Sequence, residues 1–534
     1  MKKITNILFL FLLTSFALSC SKDDDNKGVS SITLTSSAET VQLGNSLTFT
    51  VMGNNNIEVT SESTFYINNV AISSNIYTPE VDGEFTVIAK YTSGEKLLES
   101  NVLTINVTAI PVTEIVLSSD APSLEVGEMF TFSVIANNQA NLSNEATFYV
   151  NDTEIENNTF TPELAGNYDV KATYDFNGTL IESNIISLVV LPSTTTSTVF
   201  ENVVFYDGYA AMVNEPVQDG VIRVSNASYV TKLNETHLNN LSNKLKIAVT
   251  IGALCDNYDR IGSVFINFMP KNQPFAVANI AKRLEVGRFI TPFMNKNVSP
   301  TEVPYLFETD NLALLFNDPA ILAQYDFWME LNVFGVPYAA QTQVSGCSGR
   351  NDVFLGTMKF ISTDEEYTHT NQSFIPVATY KTINNYNASA TDVIGETTKT
   401  FTFDVDNELT NAKIYVISSN HGANSGGEEY NRRNHYIYYD NNLIDMYKPG
   451  GKSCEPYRMY NTQGNGIYGS SPRSDAQWAS FSNWCPGDII PIRSYDLVGP
   501  VTQGTHTFKI EIPDAQFVNA EGYVPFSVYI QGDL

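Results

Sequence analysis

Charged and metal-binding residues are scarce in this chain of 534 residues. Only 16% of the residues are charged, and there are five histidines, five cysteines and three tryptophans. No CxxC pair and no Cys/His spacing typical of a zinc ligand set occurs, so we expect no metal and no cofactor. The 30 basic residues are outnumbered by 58 acidic residues, which gives a net charge of −28. This balance excludes nucleic acid as a partner, because binding its backbone requires Lys and Arg.

The N-terminal residues have the pattern of a bacterial lipoprotein signal. A basic pair precedes an apolar run at residues 7–13, which is too short to cross a bilayer as a mature helix. Small residues then lead to Cys20, so we expect residues 1–19 to be removed and Cys20 to be lipidated; an ordinary cleaved signal is the alternative. Residues 20–28 form an acidic tether that resembles a surface-export tag, although a plain linker would have the same composition. We therefore predict an outer-membrane lipoprotein exposed on the cell surface.

The four remaining cysteines form an even set in a chain expected to be exported, which favours two disulfides. Three pairings are possible. We prefer Cys255–Cys347 with Cys454–Cys485, because each pair then closes a loop within one expected lobe.

Residues 29–191 contain one unit twice, displaced by 83 residues. The matching pieces are Leu43-Gly44 with Val126-Gly127, Thr64-Phe65-Tyr66 with Thr147-Phe148-Tyr149, and Thr78-Pro79-Glu80 with Thr161-Pro162-Glu163. Apolar and polar residues alternate within each copy, and about 80 residues of short strands fit an immunoglobulin-like β-sandwich. We predict repeats at residues 29–108 and 111–191, followed by a linker at residues 192–198. We interpret the repeats as spacers, with carbohydrate-binding modules as the alternative.

The rest of the chain, residues 199–534, keeps this strand character and has no long amphipathic helix. A segment of about 335 residues is too long for one sandwich. We therefore expect two packed β lobes, at residues 199–368 and 369–534, and an all-β fold throughout.

Polar residues that could take part in catalysis or binding are concentrated in a few short motifs. The first is Cys255-Asp256-Asn257-Tyr258-Asp259-Arg260, followed by Gly-Arg-Phe-Ile-Thr-Pro at residues 287–292. The others are His421-Gly422 and the run from Gly426 to His435, which contains Glu428, Glu429, Arg432 and Arg433. A solvated surface scatters such groups, whereas a polar site collects them.

The order and spacing of these motifs resemble the peptide-N-glycosidase F family of bacterial glycoamidases, over residues 199–534. The resemblance implies two jelly-roll lobes with an active site at their interface. It also implies an enzyme that hydrolyses the amide bond between an N-linked glycan and asparagine. The expected partner is an N-glycoprotein or glycopeptide substrate, and we expect the protein to act as a monomer.

The resemblance assigns roles to individual residues. Asp259 matches the essential aspartate, with a role in activating water and transferring protons, and Glu429 matches the second acid. Arg260 matches the neighbouring arginine, which completes the catalytic set. Five further residues are expected to bind substrate: Arg433, His421, Tyr258, Tyr430 and His435. The two tyrosines stand where the family has tryptophans and would stack on the sugar.

Structural readings remain open for the same residues. Asp259 and Arg260 could form an ion pair, the acids and arginines of 428–433 could form a solvated ladder, and His435 could belong to the core. The chain also departs from the family pattern. Gly427 and Asn431 replace a Cys-x-x-x-Cys staple around the glutamate, and the sugar-floor motif has no counterpart. We therefore expect a different glycan specificity, and a non-catalytic glycan-binding adhesin on the same fold is the alternative function.

Overall fold

The computed structural model describes residues 28–365, 371–481 and 483–534. Strands dominate it, so the predicted all-β fold is confirmed. Contacts divide the chain into two units. The first extends to Pro122 and adds Met129–Phe160 and Asn167–Leu188; the second contains Ser123–Glu128, Thr161–Gly166 and Val189–Leu534. The predicted signal peptide, Cys20 and most of the tether lie outside the described residues, as does the boundary expected at residue 368.

The strands of residues 28–191 recur at a constant offset. Each strand of the first copy has a counterpart that begins 83 residues later, as Ile115 follows Ile32. Buried aromatic residues recur with them: the Phe49 and Phe65 rings lie 5.9 Å apart, as do the Phe132 and Phe148 rings. The immunoglobulin-like assignment of the two copies stays a prediction. The strands are β1 Ile32–Ser36, β2 Thr40–Gln42, β3 Leu47–Gly53, β4 Thr64–Ile67, β5 Val70–Ile72, β6 Ile76–Tyr77, β7 Gly83–Ser93, β8 Lys96–Glu99 and β9 Leu103–Thr108, then β10 Ile115–Ser119, β11 Ser123–Glu125, β12 Phe130–Ala136, β13 Thr147–Val150, β14 Thr153–Ile155, β15 Thr159–Phe160, β16 Gly166–Phe176, β17 Thr179–Glu182 and β18 Ile186–Leu191, with a 3₁₀ helix at Thr60–Glu62.

The second unit contains two β-sandwiches, of which the first, here called the first lobe, pairs a four-stranded sheet with a five-stranded sheet. The sheet orders are β19-β27-β22-β25 and β20-β21-β26-β23-β24, and one apolar core lies between them. The elements are β19 Thr194–Tyr206, β20 Val221–Ser225, β21 Ser228–Lys232, α1 Glu235–Asn239, β22 Lys244–Ala253, β23 Ile261–Pro270, β24 Lys282–Ile290, β25 Glu302–Glu308, α2 Asp310–Phe316, α3 Pro319–Gln324, β26 Tyr325–Val333, α4 Ala340–Gln343 and β27 Asp352–Thr363, with a 3₁₀ helix at Val277–Asn279.

One segment differs from its expected state. Residues 194–198, which composition assigned to a linker, begin strand β19 and pair with Lys359–Thr363 of β27. The physical reason is that threonine, like other β-branched residues, favours extended backbone. A run of Thr and Ser therefore fits the edge of a sheet as well as a linker.

The second lobe pairs two four-stranded sheets around a core of its own. Their orders are β28-β35-β30-β33 and β29-β34-β31-β32. The elements are β28 Gln372–Ile383, β29 Thr398–Val405, β30 Thr410–Ser418, β31 His435–Tyr439, β32 Asn442–Tyr447, α5 Asp475–Ala479, β33 Arg493–Asp496, β34 Gly504–Glu511 and β35 Val524–Asp533, with 3₁₀ helices at Glu455–Tyr460 and Val518–Ala520. Within the described residues, no helix is both long and apolar enough to cross a membrane.

A buried arginine joins the two lobes. Arg288 of β24 is fully buried and pairs with Glu285, Nη2 to Oε2 at 2.7 Å. Its Nη1 donates to Ser419 Oγ at 2.9 Å and to the Pro525 carbonyl at 2.7 Å, and both of these residues belong to the second lobe. A buried guanidinium needs its hydrogens satisfied, so these bonds fix the two lobes against each other. The loops at this junction therefore have defined positions.

Candidate active site

Two loops, one from each lobe, meet at a single cleft. The loop that carries Asp259 joins β22 to β23, and the loop that carries Glu429 joins β30 to β31. The cleft between them has a volume of about 560 Å³. Its lining residues are Asn257, Tyr258, Asp259, Phe293, Gln343, Ala423, Glu429, Tyr430, Gln463, Gly464, Asn465, Gly466, Ile467 and Phe481. The two predicted acids, which lie 170 positions apart in the sequence, thus face the same cleft.

Both carboxyl groups titrate well above their ordinary range. Burial raises the pKa of Asp259 to about 7, although the nearby charge of Arg260 opposes the rise. Burial also raises the pKa of Glu429 to about 8, and the negative charge of Asp259 adds to this effect. A hydrogen bond with Tyr430 and one with the Gly422 backbone favour the charged form of Glu429. Near neutral pH the pair therefore shares protons, so that one carboxyl can accept a proton while the other donates one.

The ion pair of Arg260 is formed with Asp256 and not with Asp259. Arg260 Nε donates to Asp256 Oδ2 at 2.7 Å, and Nη2 approaches Oδ1 at 3.4 Å. Asp256 is fully buried and also accepts the backbone N–H groups of Tyr258 at 3.0 Å and Val336 at 2.7 Å. Asp256 is therefore the structural acid of this loop, and Asp259 faces the cleft.

A disulfide and a few hydrogen bonds hold the Asp259 loop. Cys255 is bonded to Cys347, as the preferred pairing predicted. Thr291 donates its hydroxyl to the Tyr258 carbonyl at 3.1 Å and accepts the Arg260 N–H at 2.7 Å. Because both ends of the loop are tied, Asp259 has a fixed position on the cleft wall.

The Asp259 loop also contacts α4 through Asn257. Its Nδ2 donates to Gln343 Oε1 at 2.7 Å, and both residues line the cleft. Nothing in the sequence distinguished Gln343, since it lies 84 positions after Asp259 in a segment without charged residues. The only nearby residue that the sequence analysis singled out was Cys347.

The arginine predicted to bind substrate is engaged elsewhere. Arg433 Nε donates to Glu428 Oε2 at 2.8 Å and Nη2 donates to Oε1 at 3.2 Å. Glu428 is 1% exposed and also accepts the Gln516 N–H at 3.0 Å. The pair is partly buried, unlike the solvated ladder considered from the sequence. Arg433 does not line the cleft, and its contacts within the described residues brace the Glu429 loop.

Both motif histidines lie in the interior. His421 is stacked against Tyr523, and its Nε2 lies 2.7 Å from Ser419 Oγ. His435 is stacked against Tyr447, and its Nδ1 lies 3.1 Å from the Arg433 carbonyl. Burial lowers the pKa of each to about 3, so both are neutral at physiological pH. Neither lines the cleft, so each contributes to packing beneath the Glu429 loop.

Aromatic side chains form the open walls of the cleft. Tyr258 packs against Phe293 with ring centroids 5.6 Å apart, and Tyr430 packs edge-to-face against Phe481 at 5.4 Å. Tyr258 and Tyr430 are 39% and 37% exposed, so each presents a ring face or edge to a ligand. Phe293 and Phe481 were not predicted from sequence, although Phe293 directly follows the motif at residues 287–292.

A third part of the cleft comes from the segment between β32 and β33, residues 448–492, here called the cap segment. It contributes the Gly-rich turn of Gln463–Ile467, for which no function could be predicted from the sequence. The Cys454–Cys485 disulfide closes the cap segment, again as the preferred pairing predicted. Glu455 anchors its interior by accepting Trp478 Nε1 at 2.9 Å and the Arg458 guanidinium. No group of three or more His, Cys, Asp or Glu suited to a metal occurs in the described part of the chain.

Two family profiles match the sequence. The profile of the N-terminal domain of peptide-N-glycosidase F matches residues 196–348, and that of the C-terminal domain matches residues 385–531. Together they span more than half of the chain. The chain therefore belongs to the peptide-N-glycosidase F family, whose members are glycoamidases. No curated protein matches the sequence closely enough to serve as a relative.

Three of the solved structures that the chain matches are described as follows. PNGF-II in the P21 space group is 14% identical, with 94% of this chain and 98% of that chain covered and a TM-score of 0.49. Peptide-N(4)-(N-acetyl-β-D-glucosaminyl) asparagine amidase at 2.2 Å resolution is 14% identical, with 64% of this chain and 96% of that chain covered and a TM-score of 0.41. PNGase F, a glycosylasparaginase from Flavobacterium meningosepticum, has the same identity, coverage and TM-score.

Proposed function

We propose that the protein is a glycoamidase that hydrolyses the β-aspartylglucosaminyl amide bond of N-linked glycoproteins or glycopeptides. The reaction would release the glycan and convert asparagine to aspartate. The observation that carries this proposal is the meeting of Asp259 and Glu429 in one cleft, each with a raised pKa. Family membership supports the reaction class.

Two carboxyls with raised pKa values can divide the labour. In this proposal Asp259, which matches the family's essential aspartate, serves as the base that accepts a proton from water. The resulting hydroxide forms a bond to the amide carbonyl carbon. As the C–N bond breaks, the protonated carboxyl of Glu429 donates its proton to the departing glycosylamine nitrogen. One water is consumed, and exchange with solvent returns both carboxyls to their starting states.

The neighbouring residues have supporting roles in this proposal. Asp256 engages Nε and one hydrogen of Nη2 of Arg260, so a bond from Arg260 to a substrate oxygen would use Nη1 or the second Nη2 hydrogen. Tyr258 and Tyr430 offer exposed rings on which the apolar faces of sugar residues can stack. Arg433, His421 and His435 would act indirectly, by supporting the loop that carries Glu429.

The direct test uses residues 29–534 as a soluble protein and a denatured N-glycoprotein in ¹⁸O-labelled water. The expected result is a labelled aspartate at each former glycosylation site, detected by mass spectrometry. Asp259→Asn and Glu429→Gln are matched controls, since each keeps side-chain volume and removes an ionisable carboxyl. Retention of intact glycans on denatured glycoprotein and short glycopeptides would refute the proposal. If glycan binding were retained as well, the adhesin function would be favoured.

We also propose that the protein is anchored in the outer membrane through a lipid on Cys20 and is displayed on the cell surface. The support is the sequence pattern around Cys20 and the acidic tether after it. Cys20→Ser should move the protein from the membrane fraction to the soluble fraction. Protease added to intact cells should digest the wild-type protein if it is displayed, and a protected protein would contradict surface display.

A further inference from the structure

The side chain of Asn483 enters the turn that carries Glu429. Its Nδ2 lies 2.6 Å from the Glu429 carbonyl, 2.8 Å from the Glu428 carbonyl and 3.2 Å from the Asn431 carbonyl. Its own backbone N–H also approaches the Glu429 carbonyl, at 3.3 Å. Asn483 is only 6% exposed, and Glu428 and Glu429 are buried with it. One amide thus gathers three carbonyls of a single turn.

The chemistry of this contact requires a side chain with two donor hydrogens. The two Nδ2 hydrogens of Asn483 are shared among three carbonyl acceptors. Aspartate has nearly the same shape but would point an oxygen at three other oxygens. Alanine would remove the Nδ2 donor from the carbonyl of the buried Glu428, and proteins avoid leaving buried carbonyls without a donor. The position therefore depends on the amide itself and not only on volume.

The turn also packs closely against the backbone of Gly422, and the Glu429 N–H donates to the Gly422 carbonyl at 3.3 Å. A Cβ atom on Gly427 would lie 1.8 Å from the Gly422 carbonyl oxygen, so position 427 cannot carry a side chain without displacing backbone. A second amide spans the turn instead, since Asn431 Nδ2 donates to the Gly427 carbonyl at 2.8 Å. Hydrogen bonds from the side chains of Asn431 and Asn483 thus support the turn that carries Glu429.

Asn483 is itself held on its C-terminal side. The next residue, Trp484, donates its indole N–H to the Asn420 carbonyl at 2.8 Å. The residue after that, Cys485, is bonded to Cys454 of the cap segment. These contacts restrict the backbone next to Asn483, so its side chain can hold the turn in position.

We propose that Asn483 is a positioning residue that places the Glu429 carboxyl opposite Asp259 in the cleft. The expected effect on catalysis rests on the proposed function, whereas the role of Asn483 in holding the turn does not. Reacting groups need accurate placement, and a displacement of about 1 Å can reduce turnover about 100-fold. Loss of the Asn483 amide should act mainly on turnover, because Asn483 does not line the cleft.

The chain offers a closely matched control in Asn226. This residue is 3% exposed, and its Nδ2 donates to the carbonyls of Asp207, Ala210 and Ala211 at 2.8, 3.4 and 3.1 Å. It clamps a loop of the first lobe that does not line the cleft. Asn226→Ala therefore reproduces the loss of a buried three-carbonyl clamp without touching the Glu429 turn.

The test compares Asn483→Ala, Asn483→Asp and Asn226→Ala by kcat and KM on an N-glycopeptide, from pH 5.5 to 9 and well below each melting temperature. We expect both Asn483 variants to lose about 10- to 100-fold in kcat, with KM changed less than about threefold. The titratable groups within electrostatic reach of Glu429 are Asp259, Tyr430 and Tyr523. In Asn483→Ala a displaced Glu429 would feel the charge of Asp259 less, so the alkaline limb of the pH profile should move to lower pH; Asn483→Asp adds a negative charge and is compared by kcat and KM only. Asn226→Ala should melt earlier but keep the wild-type kcat and pH profile.

Hydrogen exchange separates failure of this inference from failure of the proposed function. Amides of residues 427–433 should exchange faster in Asn483→Ala than in the wild type or in Asn226→Ala. If the wild type cleaves no N-glycopeptide, the proposed function fails, and unchanged exchange in this segment would then overturn the role of Asn483 as well. If the wild type is active, a normal kcat and pH profile in Asn483→Ala would overturn the inference.

Discussion

Replacing Glu429 with glutamine should stabilise the protein at alkaline pH while impairing the proposed reaction. Its pKa in the folded protein is raised from 4.5 to about 8, mainly by burial. The folded protein therefore holds a proton on Glu429 that the unfolded chain has already released between about pH 4.5 and 8. The stability associated with this proton is complete below the unfolded pKa and is lost as the pH rises through the folded pKa. Glutamine carries no charge, so the variant escapes this loss.

The size of the effect follows from the pKa change. A rise from 4.5 to about 8 sets an upper bound of about 5 kcal/mol for the stability lost at high pH. The site opens onto the cleft and the interior relaxes around charge, so we expect about 2 kcal/mol at pH 8. At about 2–4 °C per kcal/mol, the melting temperature of Glu429→Gln should exceed that of the wild type by about 4–8 °C. The difference should shrink markedly at pH 5.5.

Calorimetry at pH 5.5 and pH 8 checks this reasoning, with Asp256→Asn as the control. Asp256 is ion-paired with Arg260, so its replacement leaves a largely buried guanidinium without its partner. Asp256→Asn should therefore lower the melting temperature at both pH values. A Glu429→Gln variant that melts no later than the wild type at pH 8, or gains equally at both pH values, would refute the electrostatic account of the cleft.

Three further outcomes test other parts of the structure. Asp259→Asn should reduce turnover of an N-glycopeptide by about 10²- to 10⁴-fold, because the base is lost, and near-normal turnover would sink its proposed role. Replacing Cys454 and Cys485 together by serine removes a crosslink with a sequence separation of 31, which should cost about 3–4 kcal/mol in the free energy of unfolding as measured by denaturant titration. Removing the first repeat, by comparing residues 111–534 with residues 29–534, should change kcat/KM on a soluble glycopeptide by less than about tenfold; a larger loss would mean that the repeat binds substrate.

The features that could be predicted from the sequence are those with a local signal. Strand character predicted an all-β second part of the chain, and the fixed offset of 83 residues predicted the recurrence of strands in residues 29–191. The motif around Asp259 and that around Glu429 were dense in polar groups, and the structure brings both acids to one cleft. A dense polar motif is informative because buried polar groups are retained only where they have partners or a task.

The direction of individual side chains within a motif could not be predicted. Glu428 and Glu429 are adjacent in sequence, yet Glu428 points into the protein toward Arg433 and Glu429 points into the cleft. The same difference separates Asp256 from Asp259. In each loop one acid forms an internal ion pair and the other faces the cleft. Which acid does which depends on the backbone conformation of the loop. The family resemblance assigned His421 and His435 to substrate binding, and both lie in the interior.

The loops of the two candidate acids are both held by hydrogen bonds, but they differ in their covalent support. The loop of Asp259 is tied by the Cys255–Cys347 disulfide at its start. The side-chain amides of Asn431 and Asn483 hold the turn of Glu429. The nearest disulfide is at Cys485, two residues after Asn483. A covalent link limits how far a loop can move, whereas hydrogen bonds to carbonyls fix the orientation of each peptide unit. A Cβ atom at position 427, two residues before Glu429, would displace backbone, so hydrogen bonds to the peptide units hold this turn. This explains why a Cys-x-x-x-Cys staple could be absent here while the second carboxyl still reaches the cleft.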